Sequence, residues 1–240
     1  MKILSENGLT LLDGIPAAVD LKKAAGKLRI PAEGPDFRAL EDMAAGAMAA
    51  GSPKAVYREC FPSDRTEDAI VIGGERFKSR VLSVNLENAR RVFLYVVTCG
   101  GELDAWSREY HDPLLSYFAD YIKAAVLSAA IEYFYGYVEK TYRIKKYSKM
   151  APGSLKDWPI EQQKLLFRAL GDVKRAAGVE LTGSFLMLPS KSVSGILFPT
   201  EISFESCMLC PRGKCSGRRA PYNAGLYRER YGNEEGGSLF

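Results

Sequence analysis

Residues 181–198 read Leu181-Thr182-Gly183-Ser184-Phe185-Leu186-Met187-Leu188-Pro189-Ser190-Lys191-Ser192-Val193-Ser194-Gly195-Ile196-Leu197-Phe198. Two apolar runs, Phe185 to Leu188 and Val193 to Phe198, flank the turn-forming Pro189-Ser190-Lys191, and the pattern predicts a β-hairpin. Upstream stands Lys149-Met150-Ala151-Pro152-Gly153-Ser154. Proline fixes φ at 152 and glycine frees it at 153, so backbone amides and carbonyls there can approach a flat ligand without a side chain intervening. The same tripeptide also serves as a plain turn between two elements.

Between these segments, Trp158-Pro159 opens a predicted helix with Leu165, Leu166 and Leu170 on its apolar face and Gly171 as its stop. Before them, Leu114 to Val138 carries Phe118, Ile122, Ala125, Val126, Ala129, Tyr133 and Tyr137 at steps of three or four with no internal proline. That spacing predicts a long core helix. Arg91 to Thr98 is an apolar, β-branched run ended by Gly100-Gly101, as in a strand buried on both faces. Ala69 to Ile72, Gly73-Gly74 and Glu75 to Phe77 predict a tight hairpin. Further upstream, Asp36 to Ala50 reads as a helix with Asp36 at its N-cap, Leu40, Met43 and Ala47 on one face, and Gly51-Ser52-Pro53 beyond it. Asp20 to Ala25 reads as a shorter helix. Paired strands separated by whole helices, without βαβ regularity or internal repeats, indicate an α+β fold. The tail after Tyr222 is polar enough to fray.

At 240 residues, with 47% apolar and 26% charged residues, the chain can bury a sizeable core. Thirty-three basic residues against 29 acidic ones leave a net charge of +4, and the basic residues are scattered rather than striped. Nothing in that distribution favours nucleic acid. The N-terminus has no apolar leader, and no apolar run is read as approaching the length of a membrane span, so the expected location is the cytoplasm with no membrane partner. The single histidine, His111, leaves little scope for histidine-based metal sites or catalytic dyads.

Three of the five cysteines form Cys207-x-x-Cys210-x-x-x-x-Cys215. Two thiolates at this spacing converge on one metal, and a third five residues on can complete a face. Cys60 or Cys99 would be the fourth ligand. Cys60 is preferred, because Cys99 ends a predicted buried strand where a cysteine is a small core residue. Spacing leaves three states open: a structural zinc, a 4Fe–4S cluster acting as an electron relay, or unligated thiols. Lys214, Arg218 and Arg219 would offset thiolate charge.

Taken together, residues 149–154 and 181–198 resemble the two signature segments of the activation domain of cobalamin-dependent methionine synthase, which binds S-adenosylmethionine. In that family the first segment reads Arg-x-Ala-Pro-Gly-Tyr, the arginine holding the ligand's carboxylate and the Ala, Gly and Tyr positions lying against the nucleoside. The matching residues are Lys149, Ala151, Gly153 and Ser154, and Glu132 matches a family glutamate near the ligand's charged end. Lys149 replaces a two-pronged guanidinium by a point charge, Ser154 replaces an aromatic ring, and Gly183 stands where the family has a second glutamate. The family's N-terminal ligand-binding aspartate has no assigned counterpart.

The resemblance implies an α+β domain over residues 1–200, with an antiparallel or mixed twisted sheet and long helices, and a cysteine-containing extension over 201–240. It implies a role in reductive reactivation of a corrinoid methyltransferase, Co(II) to methyl-Co(III). No Asp-x-His-x-x-Gly corrinoid pattern surrounds His111, so the cobalamin is expected on a separate partner protein, with flavodoxin or ferredoxin as electron donor. An iron–sulfur relay would suit such a role. The alternative is a non-catalytic corrinoid-protein partner, or a metal-stabilised interaction module, that has lost S-adenosylmethionine.

Overall fold

A computed structural model of the chain describes residues 1–215 and 217–232. In chain order the elements begin with β1 (Lys2–Glu6), β2 (Leu9–Asp13), α1 (Leu21–Leu28), α2 (Pro35–Ala50), β3 (Lys54–Cys60), β4 (Ala69–Ile72) and β5 (Glu75–Lys78). Next come α3 (Arg80–Asn85), β6 (Val92–Thr98), α4 (Gly101–Ser107), α5 (Pro113–Tyr142), β7 (Tyr147–Met150) and α6 (Gln163–Leu170). The last are α7 (Val173–Ala177), β8 (Glu180–Leu181), β9 (Met187–Leu188), β10 (Ser192–Pro199) and α8 (Leu226–Tyr231). The main sheet runs in the order β1-β2-β3-β6-β10-β7, beside the small pairs β4-β5 and β8-β9. This is the expected α+β class, with antiparallel pairing and long helices. The polar end of the tail, residues 233–240, lies outside the described residues.

The described residues divide into two units. The first comprises 1–57, 96–143 and 172–193. Its core gathers Leu40, Met43 and Ala47 of α2 with Leu103 and Trp106 of α4 and Phe118, Ile122 and Val126 of α5. Asp112 caps α5, accepting from the Leu114 and Leu115 amides at 2.9 and 3.0 Å. The α5 stripe departs from its expected course. Beyond Val126 the buried positions are Ala130, Phe134 and Val138, while Tyr133 is exposed. Steps of four residues advance by 400°, so the stripe spirals round the helix and brings Phe134 rather than Tyr133 inward. There its ring meets that of Tyr57 at 5.8 Å.

By length and composition alone α5 could cross a membrane, which amends the expectation that no run approaches that length. In this fold it packs on α1, α2 and α4 as a core helix. At α2, the helix starts at Pro35 with Gly34 in the cap position, so Asp36 sits in the first turn instead of capping it.

The second unit comprises 58–95, 144–171 and 194–240 as far as described. Gly73 and Gly74 both take positive φ, 59° and 82°, which gives the β4-β5 hairpin its tight turn. Asp157 fastens the start of α3, accepting from the amides of Arg80 and Val81 at 3.2 and 3.1 Å and from the Ser79 hydroxyl. Trp158 does not open a helix. It is fully buried against Phe77, and Pro159 leads into a short 3₁₀ turn before α6.

The predicted hairpin over 185–198 does not form. β9 pairs with β8, Leu181 opposite Met187, and β10 pairs with β7, Ile196 opposite Met150. The reason lies between the runs. Lys191 accepts from the Cys99 amide at 3.0 Å and the Ser192 hydroxyl bonds Thr98 at 2.9 Å, which ties residues 191–192 to the end of β6 instead of folding them back on β9.

Within the second unit β10 passes so close to its neighbours that residue 195 has no room for a methyl group. A Cβ there would lie 2.8 Å from the Met150 carbonyl and 2.8 Å from the Tyr95 hydroxyl. Gly195→Ala is therefore expected to lower stability by about 1–3 kcal/mol, the usual range for overpacking, as measured by urea denaturation.

Candidate ligand site

Residues 151–154 form a type II turn. The Ser154 amide donates to the Ala151 carbonyl at 3.2 Å, Pro152 takes the second position and Gly153 the third, with φ 79°. The Gly153 amide is drawn to the Trp158 carbonyl at 2.7 Å, and a Cβ at 153 would meet Ile160 Cδ1 at 2.9 Å. Strand β7, paired with β10, carries Lys149 and leads directly into the turn that holds Ala151, Gly153 and Ser154.

The C-terminal segment engages these same residues. Phe204 donates its amide to Ser148 Oγ at 2.7 Å, Lys149 Nζ lies 3.2 Å from Glu205 Oε1, and Ser154 Oγ lies 3.2 Å from Ser206 Oγ. The Lys149 and Glu205 side chains are 20% and 22% exposed, so the pair is largely withdrawn from water. Glu205 Oε2 also stands 3.0 Å from Arg219 Nε. Lys149 is thus already neutralised by the chain itself. The segment is fastened again further along, where the Tyr231 hydroxyl donates to Asn85 at 3.1 Å.

An open cleft of about 820 Å³ runs beside the turn, lined by Gly153, Ser154, Leu155 and Lys156 and by Cys210, Pro211 and Arg212. The Cys210–Arg212 wall is braced from within. Arg218 donates to the carbonyls of Cys207, Cys210 and Ala220 at 3.0 to 3.1 Å and to that of Arg212. Its planar fork of N–H groups suits such multiple donation, so Arg218 organises backbone here rather than offsetting thiolate charge.

The expected four-thiol metal site is not assembled. Among the described residues no three His, Cys, Asp or Glu side chains come together as a metal cage. Cys60, expected as the fourth ligand, is a core residue, only 5% exposed, with its sulfur packed close to Gly73. The argument that set Cys99 aside as core applies equally to Cys60. Cys215 is exposed and Cys207 and Cys210 are half-buried, and Cys207 Sγ accepts from the Arg219 amide at 3.5 Å. These donors do not fit a zinc ion or an iron–sulfur cluster.

Glu132 belongs to the first unit. It is exposed on α5 and lines a groove of about 360 Å³ with Asp20, Lys23, Tyr121 and the small residues Ala124, Ala125, Ser128 and Ala129. Asp20 was read only as the start of a helix. It caps α1 through the Lys23 amide at 3.0 Å and brings a second carboxylate to the Glu132 groove. Burial, then the charges of Asp20 and Tyr117, push the Tyr121 hydroxyl above its ordinary pKa.

No family model and no curated protein matches the chain. Among solved structures it is similar to the MetH reactivation domain bound to AdoHcy, at 18% identity and a TM-score of 0.57, over 83% of this chain and 81% of that one. At that identity the likeness is one of fold, and the α+β architecture described above is the shared feature.

Burial is the largest cause pushing the Cys60 thiol up to about 11 and the Cys99 thiol up to about 12. At pH 8 an alkylating reagent should label Cys207, Cys210 and Cys215 in the folded chain and reach Cys60 and Cys99 only after denaturation, as counted by mass spectrometry. Both folded-state values lie above the ordinary 9.0. Their contribution to stability is therefore complete below that pH and is lost as pH climbs towards 11 and 12.

Proposed function

We propose that the chain binds S-adenosylmethionine and supports reductive reactivation of a separate corrinoid-dependent methyltransferase of the methionine synthase kind. One observation carries this reading: the Ala151–Ser154 turn, open to a cleft, on a fold like that of a reactivation domain bound to AdoHcy. The backbone at Ala151 and Gly153 would lie against the nucleoside. Glu132 and Asp20 line a separate groove of the first unit and are given no part in this cleft.

In the proposed reaction the partner's Co(II) takes one electron from an external donor of the flavodoxin or ferredoxin kind. The resulting Co(I) takes the methyl group of the sulfonium, giving methyl-Co(III) and S-adenosylhomocysteine. The chain's part is positioning, for the methyl group and its leaving sulfide already hold the reactivity. A cytoplasmic location is part of the proposal.

A second reading is favoured by the engagement of Lys149 with Glu205 and of Ser154 with Ser206. In it the chain keeps the fold, binds a corrinoid protein and no longer takes S-adenosylmethionine. Calorimetry and thermal melting with millimolar S-adenosylmethionine separate the two. The first reading expects heat of binding and, at a hundred times Kd, stabilisation of about 2.7 kcal/mol. Recovery of a corrinoid protein in a pull-down, with neither heat nor stabilisation, decides for the second.

A further inference from the structure

We propose that Arg212, and not Lys149, receives the carboxylate of the amino-acid nucleoside in the cleft of the second unit. This assignment rests on the S-adenosylmethionine reading above. Lys149 lies 3.2 Å from Glu205, and both side chains are about four-fifths buried. Turning Lys149 towards a ligand would leave the Glu205 carboxylate withdrawn from water with Arg219 as its cation, and stripping a buried charge of a partner is costly. A ligand carboxylate would therefore compete with one the chain already supplies.

Arg212 lines the same cleft as Gly153 and Ser154. Its guanidinium makes no ion pair among the described residues. It offers the two-pronged contact with a carboxylate that an ammonium lacks, and Lys156, also in the lining, adds only a point charge. The backbone beneath it is held in advance. Pro211 fixes φ just before it, and Arg218 bonds its carbonyl together with those of Cys207 and Cys210. A cation carried on a braced turn loses less freedom when it binds, which favours affinity. The cysteine-containing loop thus serves as a wall of the ligand cleft and the source of its carboxylate-binding cation.

The experiment is calorimetry on the full chain with two probes, S-adenosylhomocysteine and 5′-deoxy-5′-methylthioadenosine, which keeps the nucleoside and lacks the carboxylate. Arg212 is exposed, so its variants are expected to melt as the wild type does. Arg212→Ala should weaken S-adenosylhomocysteine about tenfold or more, the loss expected of a charge-assisted hydrogen bond, and leave methylthioadenosine unchanged. Arg212→Lys should fall between. Equal binding of S-adenosylhomocysteine by the wild type and Arg212→Ala, or equal weakening of both probes, overturns the Arg212 assignment and leaves the S-adenosylmethionine reading standing. Failure of the wild type to bind either probe overturns both.

Discussion

The second unit depends on one close approach. At Gly195 strand β10 slides beneath the Tyr95 hydroxyl and against the Met150 carbonyl, leaving no space for a side chain. That contact holds β10 beside β7, and β7 in turn delivers Lys149 and the Ala151–Ser154 turn. Widen the gap and the turn loses its footing, whatever its own propensities. Trp158 supports the other side, fully buried while its carbonyl receives the Gly153 amide. The turn is thus clamped at both ends, and its glycine takes a conformation that a residue with a Cβ would strain to reach.

Upon this clamp the C-terminal segment adds a polar layer. Glu205 gathers Lys149 and Arg219, and Ser206 meets Ser154. Such an arrangement serves two ends at once. It gives half-buried charges partners of opposite sign, and it occupies the side chains nearest the turn. The cysteines contribute little as ligands. Two lie in the core of their units and three on a loop that a guanidinium shapes.

Much of this was legible where a signal is local. The β6 run, the double-glycine hairpin, the long helix over Leu114 to Val138 and the Pro152-Gly153 turn each rest on neighbours within a few residues, and each formed. Partner choice was not legible. Residues 185–198 have the pattern of a hairpin, yet β9 found a two-residue partner in Glu180–Leu181, too short to register as a strand. Nor does any pattern announce that Glu205 will meet Lys149 or that Asp20 will share a groove with Glu132, because these contacts join residues far apart in the chain. Cys60 misled for a related reason: the last residue of a half-buried strand gives no sign in the sequence that its own side chain faces inward.

A loop shaped by Arg218 behaves unlike one shaped by a bridge or an ion. Its form rests on hydrogen bonds from one side chain to four backbone carbonyls. What competes with Arg218 is a cation of its own kind. Guanidinium salts seek the same backbone oxygens of Cys207, Cys210, Arg212 and Ala220, so guanidinium chloride should loosen this wall at concentrations where urea of equal denaturing strength leaves it in place.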